Sequence, residues 1–146
     1  MPPASLISAQ LILCEKVLVE KDNVHSVVRK VDLFYVSALP SGQDDQVLAK
    51  MSVLASARFQ NMDNSEYNLS FGVLYPNGQR ASLPSQTVKL KDLDLKFKDL
   101  PKGVDVTLEL AVPVNQIGMH WMQFLVDDEE VARTWFWILS RDSERD

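Results

Sequence analysis

Apolar and polar residues alternate along several short stretches of the chain, and turn-forming residues separate these stretches. The clearest is 67–73, where large apolar side chains occupy every second position between Asn, Ser and Gly. Side chains of a β-strand point alternately to its two faces, so this pattern predicts a strand with one buried and one solvated face. Comparable patterns predict further strands at 5–20, 24–37, 86–90, 104–111, 119–126 and 131–139.

Two further stretches are compatible with more than one type of secondary structure. In 47–59 the first apolar residues would share one helical face, whereas the later ones alternate as in a strand. We predict a strand there, because the stretch leads directly into the turn-forming residues 61–65. In 91–100 the alternation of Leu93, Leu95 and Phe97 with charged residues favours a strand, although apolar residues also recur at the spacing of a helical stripe.

Turn signals join some of the predicted strands into hairpins. The change of pattern at Glu15 and Lys16 predicts a β-bulge in the first strand, and a turn-forming stretch then leads into the second. Asn77-Gly78 is a strong turn signal, because both residue types tolerate a positive φ. The acidic residues 127–130 join the last two strands into a closing hairpin.

The arrangement of these segments predicts the fold class. Short strands separated by turns, without the alternating helices of a parallel α/β fold, are typical of an all-β protein. We expect an immunoglobulin-like or C2-like antiparallel β-sandwich of about seven or eight strands. The length of 146 residues suits one domain over 1–146. We expect 140–146 to form a frayed tail, and Pro113 to close its strand or to lie in an edge strand.

Charge and cysteine content narrow the range of partners and compartments. A formal net charge of -5 argues against nucleic-acid binding, which requires a positive field. No stretch approaches the roughly 18 apolar residues of a membrane span, and the N-terminus lacks the pattern of a secretory signal. Cys14 alone cannot form a disulfide framework, which fits a reducing compartment. We therefore expect a cytoplasmic protein without nucleic-acid or membrane partners.

The residue types that usually carry catalysis are few and scattered. The five glycines form no phosphate-binding loop, and His25 and His120 lie far apart in the sequence. We interpret His25 as a solvated turn residue and His120 as an outward-facing strand residue. Cys14 lies in an apolar run and is interpreted as a small buried residue, although a Cys–His–Asp site could still assemble in space. We expect no enzyme activity and no cofactor.

The acidic residues 127–130 are a candidate calcium site, since carboxylates on loops can bind this ion. They lack the glycine-containing spacing of an EF-hand loop, and four adjacent carboxylates in a short turn cannot all face one ion. Asp44 and Asp45 form a similar but weaker pair. We therefore predict a solvated hairpin tip and no metal site.

The tryptophans are the most informative feature of the sequence. Trp135 and Trp137 lie on one face of the last predicted strand, and Phe136 lies on the other. Trp121 lies on the preceding strand, where it could pair across the hairpin with one of them. Tryptophans most often fill a core, with the indole N–H hydrogen-bonded. The alternative is an exposed patch of Trp121, Trp135 and Trp137, because tryptophan is enriched at binding hot spots.

Two regions and the turn between them resemble a known family. They are residues 11–28, the turn Tyr75-Pro76-Asn77-Gly78 and the hairpin 121–133. Their order resembles that of a family of short uncharacterised bacterial β-sandwich proteins, which close with an Asp-Gly-Glu-like turn. The chain departs from that pattern at Asp128, where the family usually has Gly, and at the bulky residues 135–137. The resemblance implies a bacterial β-sandwich and no site residues, because the family has no established activity.

These patterns together favour a non-enzymatic bacterial β-sandwich that binds another protein, or a second copy of itself, through Trp121, Trp135 and Trp137. The alternative hypothesis is a small-ligand or carbohydrate-binding module that uses the same tryptophans. An enzyme would require Cys14 to be reactive, and it is the hypothesis that the sequence favours least.

Overall fold

The computed structural model describes residues 6–19, 25–30, 32–36, 47–59, 66–83, 86–89 and 102–140. These residues form ten β-strands and no helix, which confirms the all-β prediction. The predicted strand at 91–100 lies outside the described residues. The described strands are β1 (Leu6–Val19), β2 (His25–Lys30), β3 (Leu33–Val36), β4 (Val47–Phe59), β5 (Glu66–Leu74), β6 (Arg80–Ser82), β7 (Gln86–Lys89), β8 (Lys102–Val114), β9 (Gly118–Val126) and β10 (Glu129–Ser140).

The strands form two sheets, as expected for a β-sandwich. The first sheet has the order β2-β1-β4-β8, and the second has the order β3-β10-β9-β5-β6, with β7 also paired to β5. The described strand pairs are antiparallel except β3–β10, which is parallel. The structure has more strands than predicted for two reasons. The stretch 24–37 divides into two strands, and β6 is too short to show an alternating pattern from which it could be predicted.

The prediction of one continuous strand over 24–37 is wrong. β2 pairs with β1 in the first sheet, as the predicted hairpin requires, but β3 pairs with β10 in the second sheet. The chain crosses between the sheets near Asp32, whose carbonyl oxygen accepts a hydrogen bond from Trp137 N at 2.8 Å. Alternation alone does not reveal this crossing, because both strands have the same period of two residues.

β1 changes neighbours along its length. Its residues up to Cys14 pair with β4, whereas those from Cys14 to Val19 pair with β2. The change of pattern at Glu15 and Lys16 coincides with this exchange of partner strands. The prediction of a β-bulge at these residues is wrong. The register shift of the β1–β4 pair lies instead between Leu6 and Ser8.

β4 is a strand along its whole length, which confirms the choice of strand over helix for 47–59. It lies between β1 and β8, and its odd-numbered residues from Ala49 to Phe59 are buried. β8 has only β4 as a partner among the described strands, so Pro113 lies in an edge strand of this part of the chain, as predicted.

The core lies between the two sheets and combines aliphatic with aromatic side chains. Phe59 of β4 stacks on Tyr67 of β5 with 4.3 Å between ring centroids, and Phe71 stacks on Phe124 at 5.5 Å. Burial of one large apolar side chain stabilises the fold by about 2 kcal/mol, so this layer is the main source of stability. Its buried residues include Leu11, Leu13, Val53, Ala55, Val106, Leu110 and Val112 of the first sheet and Leu69, Val73, Met122, Val126, Phe136 and Ile138 of the second.

The hairpin of β9 and β10 turns through only two residues. Val126 pairs with Glu129, and Asp127 and Asp128 have φ angles of 50° and 66°, as in a type I′ turn. Asp127 also ties this turn to β5, because its Oδ1 accepts a hydrogen bond from Asn68 N at 3.0 Å. At the far end of the hairpin Ser140 is a buried residue of β10 and not part of the predicted tail, whereas 141–146 lie outside the described residues.

We predict that Asp128→Gly stabilises the domain by about 0.5 kcal/mol, measured by urea unfolding. Glycine adopts a positive φ without the steric cost that a Cβ brings, and this gain exceeds the entropy that glycine adds to the unfolded chain. Asp127→Gly is the matched control, because it loses the hydrogen bond to Asn68 and should bring no gain. A lower free energy of unfolding for Asp128→Gly would contradict the strain assigned to this turn.

Candidate functional site: an exposed aromatic face

The two sheets differ in what they present to solvent. The outer side of the first sheet mixes polar and apolar residues and includes an ion pair, in which Arg58 Nη1 lies 3.1 Å from Asp105 Oδ1. The outer side of the second sheet carries the tryptophans. Any function that uses those tryptophans therefore belongs to the second sheet.

The orientation of β10 decides where its tryptophans lie. Phe136 and Ile138 are fully buried, so the residues that alternate with them, at 135 and 137, point away from the core. Trp135 and Trp137 are accordingly 41% and 40% exposed, and Trp121 of β9, half-buried, lies directly opposite Trp135. The prediction that Trp135 and Trp137 share one face is confirmed, and so is the pairing of Trp121 with one of them across the hairpin. Core packing, the more common fate of tryptophan, does not apply to Trp135 and Trp137.

The strand order extends this patch across five strands. We call the outer side of β3, β10, β9, β5 and β6 the aromatic face; its residues follow from the strand register, since each outward residue lies beside its paired neighbours. The face also contains exposed apolar residues that sequence analysis did not assign to the patch. Sequence analysis missed them because their strands are distant in the sequence. The rows of the face are Leu33–Trp137–Met119, Trp135–Trp121–Leu74–Arg80 and Arg133–Gln123–Gly72–Ser82, with Tyr35 and Leu139 beyond the first row.

A polar network borders the tryptophans. Arg133 donates from Nε and Nη2 to the two carboxylate oxygens of Glu130, each at 2.7 Å, and its guanidinium lies 5.3 Å from the centre of the Trp121 ring. The hydrogen bonds from Arg133 hold the pKa of the Glu130 carboxyl below its usual range. The charge of Arg133 is therefore balanced by Glu130, and its plane covers part of Trp121.

Gln123 brings an unsatisfied acceptor to this border. Its side chain is only 5% exposed, its Nε2 donates to Glu130 Oε1 at 3.4 Å, and its Oε1 has no hydrogen-bond partner. The carboxylate of Glu130 fixes this orientation, because the reversed amide would place two oxygens against each other. A buried carbonyl oxygen without a donor lowers the stability of the folded domain by about 1 to 3 kcal/mol. This oxygen is enclosed by the side chains around it.

Gly72 is buried beside Gln123. A Cβ at Gly72 would lie 3.0 Å from Gln123 Oε1 and 3.7 Å from Arg80 Nη2, so the glycine makes room for the side chain of Gln123 against β5. Gly72, Ser70, Arg80 and Ser82 are among the residues that line a groove of about 510 Å³ on this side of the sheet. Sequence analysis missed Gln123 and Gly72, although a polar residue inside the apolar run 122–126 was a usable signal.

His120 is buried, and its interpretation as an outward-facing residue is wrong. It lies opposite Phe136 on the inner side of the hairpin, stacks on that ring at 5.1 Å and meets the edge of Tyr75 at 5.4 Å. Its Nδ1 lies 3.0 Å from Gly118 O, whereas Nε2 has no partner. Burial lowers the pKa of the imidazole, so His120 is a neutral core residue. The side chain of His25 lies outside what the structure describes.

Cys14 is fully buried, as predicted, with its Sγ 3.6 Å from Ser52 O. Burial raises the pKa of this thiol, which is the opposite of what a nucleophile needs. The acidic residues 127–130 do not converge either, because Asp127 faces Asn68 and Glu130 faces Arg133. Across the described parts of the chain no group of three or more metal-ligating side chains occurs. Asp44 and Asp45 lie outside those parts.

Comparisons with known proteins leave the aromatic face unassigned. No protein-family model and no curated protein matches the chain, so the resemblance to a bacterial β-sandwich family stays a prediction. Among the residues that the structure describes there is no helix that could cross a bilayer.

Several solved structures resemble the chain at low sequence identity. A β-glucosidase from Listeria innocua matches with a TM-score of 0.51 at 9% identity, over 90% of this chain and 16% of that one. An alkylpurine DNA glycosylase from Pseudomonas fluorescens matches at 0.45 and 10%, over 88% of this chain and 30% of that one. An immunoglobulin-like protein from Pseudomonas aeruginosa matches at 0.36 and 12%, over 94% and 100%. The chain thus spans less than a third of the first two proteins, and the likeness concerns the fold alone.

The burial of His120 predicts a pH dependence of stability. The unfolded chain protonates this histidine below about pH 6.5, whereas the folded domain resists protonation, so the free energy of unfolding should fall as the pH drops from 7 towards 5. His120→Phe keeps a ring against Phe136 and should reduce this fall, by up to about 1.4 kcal/mol per pH unit. Urea unfolding at several pH values measures it, with His25→Gln as the control. An unchanged pH dependence in His120→Phe would show that other groups cause the fall.

Proposed function

We propose that this domain is a non-enzymatic protein-interaction module and that the aromatic face binds a protein partner. The observation that carries the proposal is the exposure of Trp135 and Trp137, each about two-fifths accessible on a strand whose other face is buried. Soluble domains rarely leave such large rings in water without a use, and tryptophan is the residue most enriched at the energetic centre of interfaces.

The surroundings of the tryptophans support this proposal. Leu33, Tyr35 and Met119 are also exposed and extend the apolar surface around Trp137. The ion pair of Arg133 and Glu130 and the side chain of Arg80 border it. An apolar centre with a polar rim is the usual composition of a protein interface, in which the rim sets orientation and the centre supplies the binding energy.

A non-enzymatic role in the bacterial cytoplasm fits the remaining groups. Cys14 is a buried free thiol with a raised pKa, and His120 is neutral and enclosed, so neither group is available to a substrate. The proposal assigns the activity to recognition alone. A cytoplasmic setting is part of the proposal, because a chain with a single free thiol is compatible with a reducing compartment.

Site-specific photocrosslinking tests the proposal. A photoreactive residue at Met119, on the aromatic face, should crosslink to protein in a cell extract, whereas the same residue at Leu48, exposed on the first sheet, should not. Trp135→Ala with Trp137→Ala should lower the yield from position 119 at least about tenfold, because removing hot-spot tryptophans costs more than about 2 kcal/mol of binding.

Two controls make that result interpretable. The double variant should unfold in urea within about 1 kcal/mol of the native chain, because it changes exposed side chains. Ile7→Ser with Leu48→Ser removes exposed apolar surface from the first sheet and should leave the crosslinks unchanged. Equal crosslinking from both sheets, or crosslinking that survives loss of both tryptophans, would exclude the aromatic face as the binding surface.

A carbohydrate ligand is the second candidate function, and the exposed indoles of Trp135 and Trp137 favour it. A sugar ring can stack its apolar side on such an indole. Titration of neutral and acidic oligosaccharides should then shift the tryptophan fluorescence of the native chain, and Trp135→Ala should reduce the shift. No shift with any sugar at millimolar concentration would eliminate this candidate.

A further inference from the structure

We infer that the partner of the aromatic face binds by strand addition: an extended segment of the partner pairs in parallel with the edge of β10, in line with β3. The inference rests on the proposed function and adds how the partner is held and which chemistry it has. It follows from the strand pairing of β10, from the backbone groups at its edge and from the side chains beside that edge.

β3 covers only one end of β10. β10 runs from Glu129 to Ser140, and its parallel pairing with β3 begins at Trp137. The chain reaches this edge at Asp32, whose carbonyl oxygen accepts the 2.8 Å hydrogen bond from Trp137 N. Among the residues that the structure describes, no strand pairs with this side of β10 from 129 to 136. We call this stretch the open edge.

The open edge presents backbone groups that a further strand can bind. A strand residue directs its N–H and its C=O to the same side, and successive residues alternate between the two sides. Trp137 directs its N–H to Asp32, so Trp135 and Arg133, two and four residues earlier in an unbroken register, direct theirs to the open edge. Thr134 between them faces β9. Within the described part of the chain no backbone group accepts from or donates to Arg133 and Trp135 on this side.

Side chains on both faces of the open edge are incompletely covered. On the inner face Ala132 and Thr134 are only half-buried, whereas Phe136, next to the start of β3, is fully buried. On the outer face Trp135 is 41% exposed. The side chains of a strand alternate between its two faces, so a strand beside β10 would cover both sets. The partner segment should therefore carry apolar residues at consecutive positions.

The turn before β10 adds a charge preference. Residues 127–130 are four carboxylates, and the ion pair of Arg133 with Glu130 offsets one of them. The N-terminal end of a segment parallel to β10 lies beside this turn, where basic residues would be attracted. The chemistry of the partner is thus a basic start followed by a short apolar stretch that favours β-structure.

Strand addition unites the two features of the site at one residue. In this mode of peptide binding, main-chain hydrogen bonds supply affinity and alternating side chains supply specificity. The backbone of Trp135 faces the open edge, and its ring belongs to the aromatic face. A segment that pairs with β10 therefore contacts the exposed indole with its outward side chains.

Binding of the synthetic peptide Lys-Lys-Thr-Leu-Phe-Tyr-Val to the full native chain tests the inference. After a basic start it repeats β3, which already pairs in parallel with β10. In the free chain the amide protons of Arg133 and Trp135 should exchange rapidly with solvent, whereas that of Thr134 should be protected. Saturating peptide should protect Arg133 and Trp135, measured by NMR hydrogen exchange. A peptide that does not bind, or that protects neither amide, would overturn the inference.

Methylated peptides test the main-chain hydrogen bonds on the unaltered protein. One peptide is N-methylated at its Leu and Tyr and a second at its Phe and Val, so the methyl groups lie on opposite edges of the extended peptide. Only one edge faces β10, so one of the two should bind at least about fivefold more weakly than the other. Equal affinities would contradict strand addition.

A matched pair of variants tests the same bonds from the protein side. Arg133→Ala and Arg133→Pro lose the same side chain, but only proline also removes the N–H at the open edge. Proline is tolerated where its nitrogen faces away from the paired strand, and urea unfolding checks that both variants are folded. Arg133→Pro should bind the peptide at least about fivefold more weakly than Arg133→Ala. Equal binding by the two folded variants would refute the role of the open edge.

The outcomes separate this inference from the proposed function. Tryptophan-dependent crosslinks from position 119 that are equally strong in Arg133→Ala and Arg133→Pro would overturn strand addition and keep the aromatic face as an interface. Loss of peptide binding together with absence of such crosslinks from the native chain would overturn both.

Discussion

Burial of Phe136 and Ile138 between the sheets is the constraint on which the candidate site depends. A strand has only two faces, so fixing one set of side chains in the core commits the other set to solvent. Trp135 and Trp137 are exposed because their neighbours are buried, and a slip of one residue would exchange the two sets. The ring of His120, stacked on Phe136 from β9, reinforces this orientation from the inner side of the hairpin.

The aromatic face is a product of strand order as much as of composition. Leu33 and Trp137 are neighbours only because the chain crosses from the first sheet to the second before β3, which then pairs in parallel with β10. Gly72 and Gln123 are neighbours only because β5 pairs with β9. The face thus joins segments that are about a hundred residues apart in the chain, and its apolar and polar parts are continuous although the sequence scatters them. A single exposed tryptophan would need no explanation, whereas a row that continues across neighbouring strands does.

Polar groups form one border of the aromatic face. Arg133 and Glu130 pair with each other, and Gln123 donates to the same carboxylate. The Oε1 of Gln123 lies enclosed beside Gly72 without a donor, which lowers the stability of the domain by about 1 to 3 kcal/mol. The charged pair and the amide thus fix the polar edge of the face, whereas the tryptophans form its apolar centre.

The sequence by itself determined the all-β class, the positions of most strands, the closing hairpin and the shared face of Trp135 and Trp137, because a period of two and turn-forming residues are local properties. It also indicated the buried Cys14, which lies in an apolar run. Only the tertiary structure decided that the chain crosses between sheets near Asp32, that β1 exchanges partners at Cys14, and that His120 points inward while the tryptophans point out. An alternating pattern shows that the two faces of a strand differ, but it does not show which face packs against the other sheet. The buried face is decided by contacts between strands that are far apart in the chain.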